Sequence, residues 1–287
     1  MTSYFHLNGS LVAANSVCIP VTDRSYLFGD GLFETILVNN SHPIFLAEHL
    51  ARLQDSSTFL DYDLPPKEQL AEDVSAVITA NALDTGSIRL TVSQQDSQGL
   101  LATAQSRVNI LITYRRGSPY TPEQYKSGFH AIITERTKRN EHSPLSAHKT
   151  TNYADNIFAR KEALDRGADE ALLVNTSGNL TEGTVANLFL VKDQFVFTPP
   201  ITDGVLPGIL RQKVLGLCGT SGITFREETL RPEALQSADE AFLTNSLMGI
   251  MPLETIEDYT FDLSINSITR RLDTALALLL TDSKPSP

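Results

Sequence analysis

Alternating and clustered apolar positions divide the chain into hairpins and helices. Residues 4–7 and 11–12 flank Asn8-Gly9, a dipeptide that favours a tight hairpin because both positions tolerate positive φ. The branched and aromatic run at 32–38 predicts a buried strand, and Asn39-Asn40 then predicts a turn before Pro43. Leu46, Leu50, Leu53 and Ser57 recur at helical spacing and predict a helix over 46–60. Pro65-Pro66 opens a second helix, to about residue 81. Alternation at 87–93 and 107–114 predicts two strands, with a polar loop over 94–105.

Residues 115–124 carry Gly117, Ser118, Pro119 and Pro122 and no hydrophobic period, so an internal boundary falls there. Beyond it a strand is expected over 128–135, then a charged loop over 136–146. Tyr153, Ile157, Ala159, Ala163 and Leu164 predict a helix with one buried face, running to Gly167. Strands follow at 170–175, from 180, at 187–191 and at 194–198. A helix from about Pro207 to 218, strands at 223–230, 240–244 and 251–256, a short helix at 232–236 and a last helix over 263–280 complete the reading. Hairpins mixed with helices predict two α+β lobes, residues 1–116 and 126–287, joined by a linker over 117–125.

Composition narrows the function. A chain of 287 residues with 41% apolar and 20% charged residues can bury a large core, in one big domain or two. Its net charge of −11 argues against nucleic acid as the main partner, which demands concentrated basic surface. No apolar run approaches the length of a membrane span, and no leader pattern opens the chain, so a cytoplasmic protein without membrane contact is expected. Cys18 and Cys218 are isolated and expected in the core. The six histidines show no metal-ligand spacing, and no metal is expected.

Several residues stand out chemically. Lys149 is a lone cation entering the helix predicted after it, where desolvation of its amine would make it a Schiff-base nucleophile. Arg52 lies near the apolar seam of its helix, either paired with Glu48 or Asp55 or free to bind an anion. Pro207-Gly208-Ile209 opens a helix, whose first amides and dipole suit an anion. Thr244-Asn245-Ser246 offers a hydroxyl and amides after a strand. Glu182, at the strand edge in Leu180-Thr181-Glu182-Gly183-Thr184, is placed by a narrow bend to aim its carboxylate inward. Lys138 and Arg139 either form a solvated loop or answer an acidic substrate.

Taken in order, these motifs resemble a known family. Lys149-Thr150-Thr151-Asn152-Tyr153, Asp169-Glu170-Ala171-Leu172, Thr181-Glu182-Gly183 with Asn187-Leu188-Phe189, and Thr198-Pro199-Pro200 with Leu206-Pro207-Gly208-Ile209 are similar to the class IV, or fold type IV, pyridoxal phosphate enzymes. Asp23-Arg24, Gly29-Asp30-Gly31-Leu32-Phe33-Glu34-Thr35 and Glu48-His49-Leu50-Ala51-Arg52-Leu53 extend the resemblance through the first half. It implies a homodimer of two-lobed α+β subunits with the active site between the lobes. It also implies that Lys149 bonds the cofactor and moves protons, that Glu182 pairs with the pyridine nitrogen, and that Tyr153 lies near the ring O3′ oxygen. Arg52, the Ile209 amide and Ser246 would hold the phosphate, with Gly208 leading into the helix. Phe28, Phe33, Leu247 and Met248 match pocket-lining positions, although ordinary core packing explains the phenylalanines equally well.

Within the family, Asn245-Ser246-Leu247-Met248 and the Gly-Asp-Gly-x-Phe start look like 4-amino-4-deoxychorismate lyase, which releases 4-aminobenzoate and pyruvate in folate biosynthesis. That lyase is the first expectation. The alternative is an aminotransferase of amino-acid metabolism acting on branched-chain L-amino acids or on D-amino acids. Arg89, in Ser87-Ile88-Arg89-Leu90, is then a candidate for a substrate carboxylate, although the tyrosine that would complete a clamp is absent. Arg89 equally suits support of a strand end. A protein that keeps this constellation only to bind is the remaining, non-enzymatic expectation.

Overall fold

The computed structural model describes residues 2–95, 99–101 and 107–282. It divides into two compact units. The first comprises residues 1–119 together with 148–153, and the second 120–147 with 154–287. The division is discontinuous, because the short segment around Lys149 folds with the first unit and not with the chain on either side of it.

In the first unit, β1 (Tyr4–Leu7) and β2 (Ser10–Ala13) form the expected hairpin, with Asn8 and Gly9 at φ 49° and 88°. A five-residue helix that the sequence pattern did not reveal, α1 (Arg24–Phe28), follows. It starts because the Asp23 carboxylate accepts the Ser25 and Tyr26 amides. Next come β3 (Gly31–Asn39), β4 (His42–Pro43), α2 (Leu46–Phe59), α3 (Lys67–Ala80), β5 (Gly86–Gln94) and β6 (Val108–Arg116). The six strands form one sheet in the order β2-β1-β6-β5-β3-β4. Alternation places Leu32, Ile36, Ile88, Leu90, Ile110 and Ile112 on one face, packed with Leu50, Leu53, Val74 and Val77 of the two helices. The β3–β4 turn falls at Asn40-Ser41, both with positive φ, one residue later than expected. The polar loop expected at 94–105 lies largely outside the described residues.

The second unit opens with another helix missing from the sequence reading, α4 (Pro122–Ser127), started by a capping box between Thr121 and Gln124. It continues through β7 (Phe129–Ile133), α5 (Ala154–Asp165), β8 (Glu170–Val174), β9 (Leu180–Gly183), β10 (Asn187–Lys192), β11 (Phe195–Thr198), α6 (Ile209–Thr220), β12 (Phe225–Glu227), β13 (Glu240–Asn245), β14 (Gly249–Ile256), β15 (Tyr259–Thr260) and α7 (Ser267–Asp282). The sheet runs β12-β11-β10-β13-β14-β7-β8-β9, and β9 returns to β10 through Glu182 opposite Asn187. That closure brings two polar side chains of neighbouring strands together.

Four expectations need correction here. Ile157 and Leu164 are 53% and 64% exposed, so the buried face of α5 is Asn156, Ala159, Glu162 and Ala163. The alanines let the helix lie close against Ala171 and Leu173, which larger side chains would prevent. Glu162 tolerates burial because its carboxylate accepts from the Thr134 hydroxyl and from the Glu135 and Arg136 amides. Cys18 is exposed, while Cys218 is buried as expected. The strand read over 223–230 shrinks to Phe225–Glu227, and the last helix begins at Ser267.

Candidate active site

In the first unit, the segment carrying Lys149 lies along the start of β3. The Phe33 amide donates to the Lys149 carbonyl at 3.0 Å, and the Thr151 amide donates to the Gly31 carbonyl at 2.8 Å. Gly31 permits this approach, since a Cβ there would stand 2.7 Å from the Val92 carbonyl oxygen and 3.0 Å from Thr151 Oγ1. Lys149 Nζ sits 4.4 Å from the Phe33 ring centroid and donates weakly to Tyr153 Oη at 3.4 Å. Phe33 and Tyr153 meet edge to face, with centroids 5.3 Å apart.

Strand register brings Arg89 to the same place. Phe33 pairs with Thr91 and Thr35 with Arg89, so these side chains share the sheet face opposite α2 and α3. The Arg89 guanidinium lies 3.8 Å from the Phe33 centroid. Desolvation lowers its pKa, yet the residue keeps solvent-accessible surface. It is crowded but reachable. Because Arg89 belongs to the middle of β5, it does not serve as a strand-end support. Phe28, by contrast, is 47% exposed on α1, with the Arg24 guanidinium 5.3 Å from its ring.

Arg52 grips Glu34 of β3, Nε to Oε1 at 2.8 Å and Nη2 to Oε2 at 2.6 Å. His49 Nδ1 shares Oε2 at 2.6 Å. Burial alone would raise the Glu34 pKa, but the Arg52 charge and the hydrogen bonds from His49 and Arg52 outweigh it and hold it at about 2. The guanidinium is thus fixed in direction before any anion arrives.

In the second unit, Glu182 is buried, with both carboxylate oxygens accepting hydrogen bonds. Its Oε1 accepts from Arg139 Nη2 at 2.5 Å, and its Oε2 accepts from the Leu206 amide at 3.0 Å and from Asn187 Nδ2 at 3.3 Å. Glu182 does aim inward, but from strand β9, and the bend follows it at residues 184–186. Arg139 also donates to the Gly204 carbonyl, so it faces protein, while its neighbour Lys138 is exposed.

Gly208 caps α6 and has no freedom to be anything else. A Cβ there would fall 1.9 Å from Asn187 Oδ1. The N-cap residue has no side chain to satisfy the first amides of α6, and such a helix start suits an anion. Close to Asn187 in strand register is Thr244, whose buried Oγ1 has no hydrogen-bond partner. After it, Asn245 Oδ1 accepts from the Leu247 and Met248 amides at 2.9 and 2.8 Å and folds the turn that presents Ser246. The Met248 side chain is buried in the hydrophobic core. Leu247 stays half-buried.

Each unit by itself offers groups of the kind a phosphorylated pyridine aldehyde binds: the first an amine, and the second a buried carboxylate, a helix start and a hydroxyl with no hydrogen-bond partner. Among the described residues, no His, Cys, Asp or Glu group could hold a metal ion, and no helix is long and apolar enough to cross a membrane. Asn187 stands in the sequence reading only as part of a motif, without the role of bridging Glu182 and Leu206. Asn187 left a faint signal, a polar residue at the head of the apolar run 188–191.

Known proteins resemble this chain over most of its length. The family described as amino-transferase class IV matches residues 31–256. A D-alanine aminotransferase of Bacillus licheniformis is 28% identical over 94% of both chains. A putative branched-chain-amino-acid aminotransferase of Methanocaldococcus jannaschii is 32% identical over 93% of both. Among solved structures, the Escherichia coli branched-chain aminotransferase superposes with a TM-score of 0.93 at 27% identity, covering 100% of this chain and 97% of that one. A putative 4-amino-4-deoxychorismate lyase of Legionella pneumophila gives 0.85 at 31% identity, covering 92% and 96%.

Proposed function

The chain belongs to the class IV aminotransferase family and is a pyridoxal-phosphate-dependent enzyme, and from that premise we propose that it transfers an amino group between an amino acid and a 2-oxo acid. The observation that carries this reading is the Lys149 amine, held over Phe33 beside the Tyr153 hydroxyl, with Arg89 stacked on the same ring. Lys149 anchors the cofactor and moves a proton at the reacting carbon. Tyr153 steadies the ring oxygen, Glu182 takes the ring N–H, and Arg52, the Ile209 amide and Ser246 hold the phosphate. Bound there, the cofactor supplies an electron sink for the charge left by the departing proton.

Arg89 recognises a substrate carboxylate through charge-assisted hydrogen bonds. The two curated relatives above favour a branched-chain L-amino acid or a D-amino acid as donor. Their agreement moves the first reading from lyase to aminotransferase. The lyase remains the second reading on two grounds: the Asn245–Met248 turn and the 31% identity to the putative lyase. We also propose that the enzyme works as a homodimer in solution, which light scattering on the purified protein tests.

The deciding experiment offers the holoenzyme L-leucine, L-glutamate, D-alanine and D-glutamate with 2-oxo acids, and separately 4-amino-4-deoxychorismate alone. Amino transfer with no aromatic product supports the proposal. Release of 4-aminobenzoate and pyruvate without an acceptor replaces it with the lyase. Borohydride should fix the cofactor on Lys149 in either case, and Lys149→Ala should abolish both reactions.

A further inference from the structure

Lys149 is the centre of a three-residue turn. The Thr150 amide donates to the His148 carbonyl at 3.0 Å, so the backbone on both sides of the lysine is drawn together. From the outside the turn is pinned to β3, through the Phe33 amide on the Lys149 carbonyl. A second anchor comes from the His148 side chain. Its Nδ1 shares a hydrogen bond with Ser56 Oγ at 2.9 Å, and its ring stacks on Phe59 with centroids 4.3 Å apart and planes 18° from parallel.

Ser56 and Phe59 belong to the last turns of α2, and Arg52 lies one helical turn before Ser56 on the same helix. Arg52 is in turn fixed on Glu34, the residue after Phe33 in β3. The contacts therefore close a circuit within one unit. It runs from Lys149 to Phe33, Glu34, Arg52, Ser56, His148 and back to Lys149.

We infer that His148 is a positioning residue, which couples the placement of the Lys149 amine to that of the Arg52 guanidinium through α2. The inference rests on the reading that these two residues hold the cofactor. A segment with no helix or strand of its own would otherwise spread over several backbone conformations. An ångström of misplacement at a reacting group costs about a hundredfold in rate. Desolvation keeps the His148 pKa below its usual value, so a neutral ring, suited to stacking and to one shared hydrogen bond, is the form in place.

The test compares the parent holoenzyme with His148→Ala, Ser56→Ala and Phe59→Leu. Three properties are followed: the pH midpoint of the bound cofactor's absorbance change, the rate of cofactor release on dialysis, and kcat separately from KM. In His148→Ala the midpoint should move by about half a unit or more, release should quicken, and kcat should fall about 10- to 100-fold with KM little changed. Ser56→Ala and Phe59→Leu should each reproduce part of these shifts, and they carry the test if His148→Ala fails to fold. If the variants only melt earlier, with midpoint, release rate and kcat at parental values, His148 is a packing residue and the inference is overturned. Failure of borohydride to fix the cofactor on Lys149 of the parent itself would instead sink the reading beneath it.

Discussion

Glu34 and Arg52 lie side by side, with two nitrogens of the guanidinium on the two oxygens of one carboxylate. The pair is buried, with side chains 1% and 11% exposed. Glu34→Gln should leave Arg52 and His49 without their anion and cost about 3 kcal/mol of stability, because breaking a buried pair strands a charge. Urea unfolding at neutral pH measures it, and cofactor affinity should fall in parallel.

The same carboxylate should govern acid stability. Its folded pKa of about 2 lies below the ordinary 4.5, so its contribution is fully present above pH 4.5 and drains away as pH falls towards 2. That gap corresponds to about 3 kcal/mol at 1.36 kcal/mol per unit. A series of unfolding curves between pH 6 and 2 should show the loss in the parent and a flatter profile in Glu34→Gln.

Arg139→Gln should expose the dependence of Glu182 on its cation. The substitution removes the shortest of the hydrogen bonds to that carboxylate and should destabilise the fold by about 3 kcal/mol. Cofactor dissociation should quicken too. An Arg139 variant with parental stability but an altered KM for acidic substrates would return that residue to the substrate-binding role expected from the sequence.

At Gly208 a methyl group has no room. Gly208→Ala should push Asn187 off its place, lower stability by about 1–3 kcal/mol and weaken cofactor binding through the disturbed Glu182. Calorimetry and equilibrium dialysis report the two effects.

Arg89→Ala should raise KM for a substrate with an acidic side chain about 10- to 100-fold, the worth of a charged hydrogen bond, with kcat within about threefold. An aliphatic substrate whose side chain makes no use of Arg89 should be affected less.

Thiol chemistry offers a simple check on the fold. Cys18 is exposed, whereas Cys218 is buried and its thiol is pushed up to about 11. Native protein should react with one equivalent of a thiol reagent, and unfolded protein with two.

What the sequence alone determined is what local chemistry enforces. Asn8-Gly9 made the first hairpin, the Leu46–Leu53 spacing made α2, and the Gly208 position opened α6, each through backbone preference or periodicity within a few residues. The ordered motifs from Gly29 to Met248 also carried the family. Tertiary structure alone decided the partners. Arg52 reaches Glu34 across 18 residues and Arg139 reaches Glu182 across 43, and no short-range rule encodes such distances. The same holds for the six residues around Lys149, which join the sheet of the first unit because Gly31 leaves space for another backbone beside it. Ile157 and Leu164 misled for a related reason. Period fixes which residues share a helix face, but only the surface packed against the helix decides which face is buried.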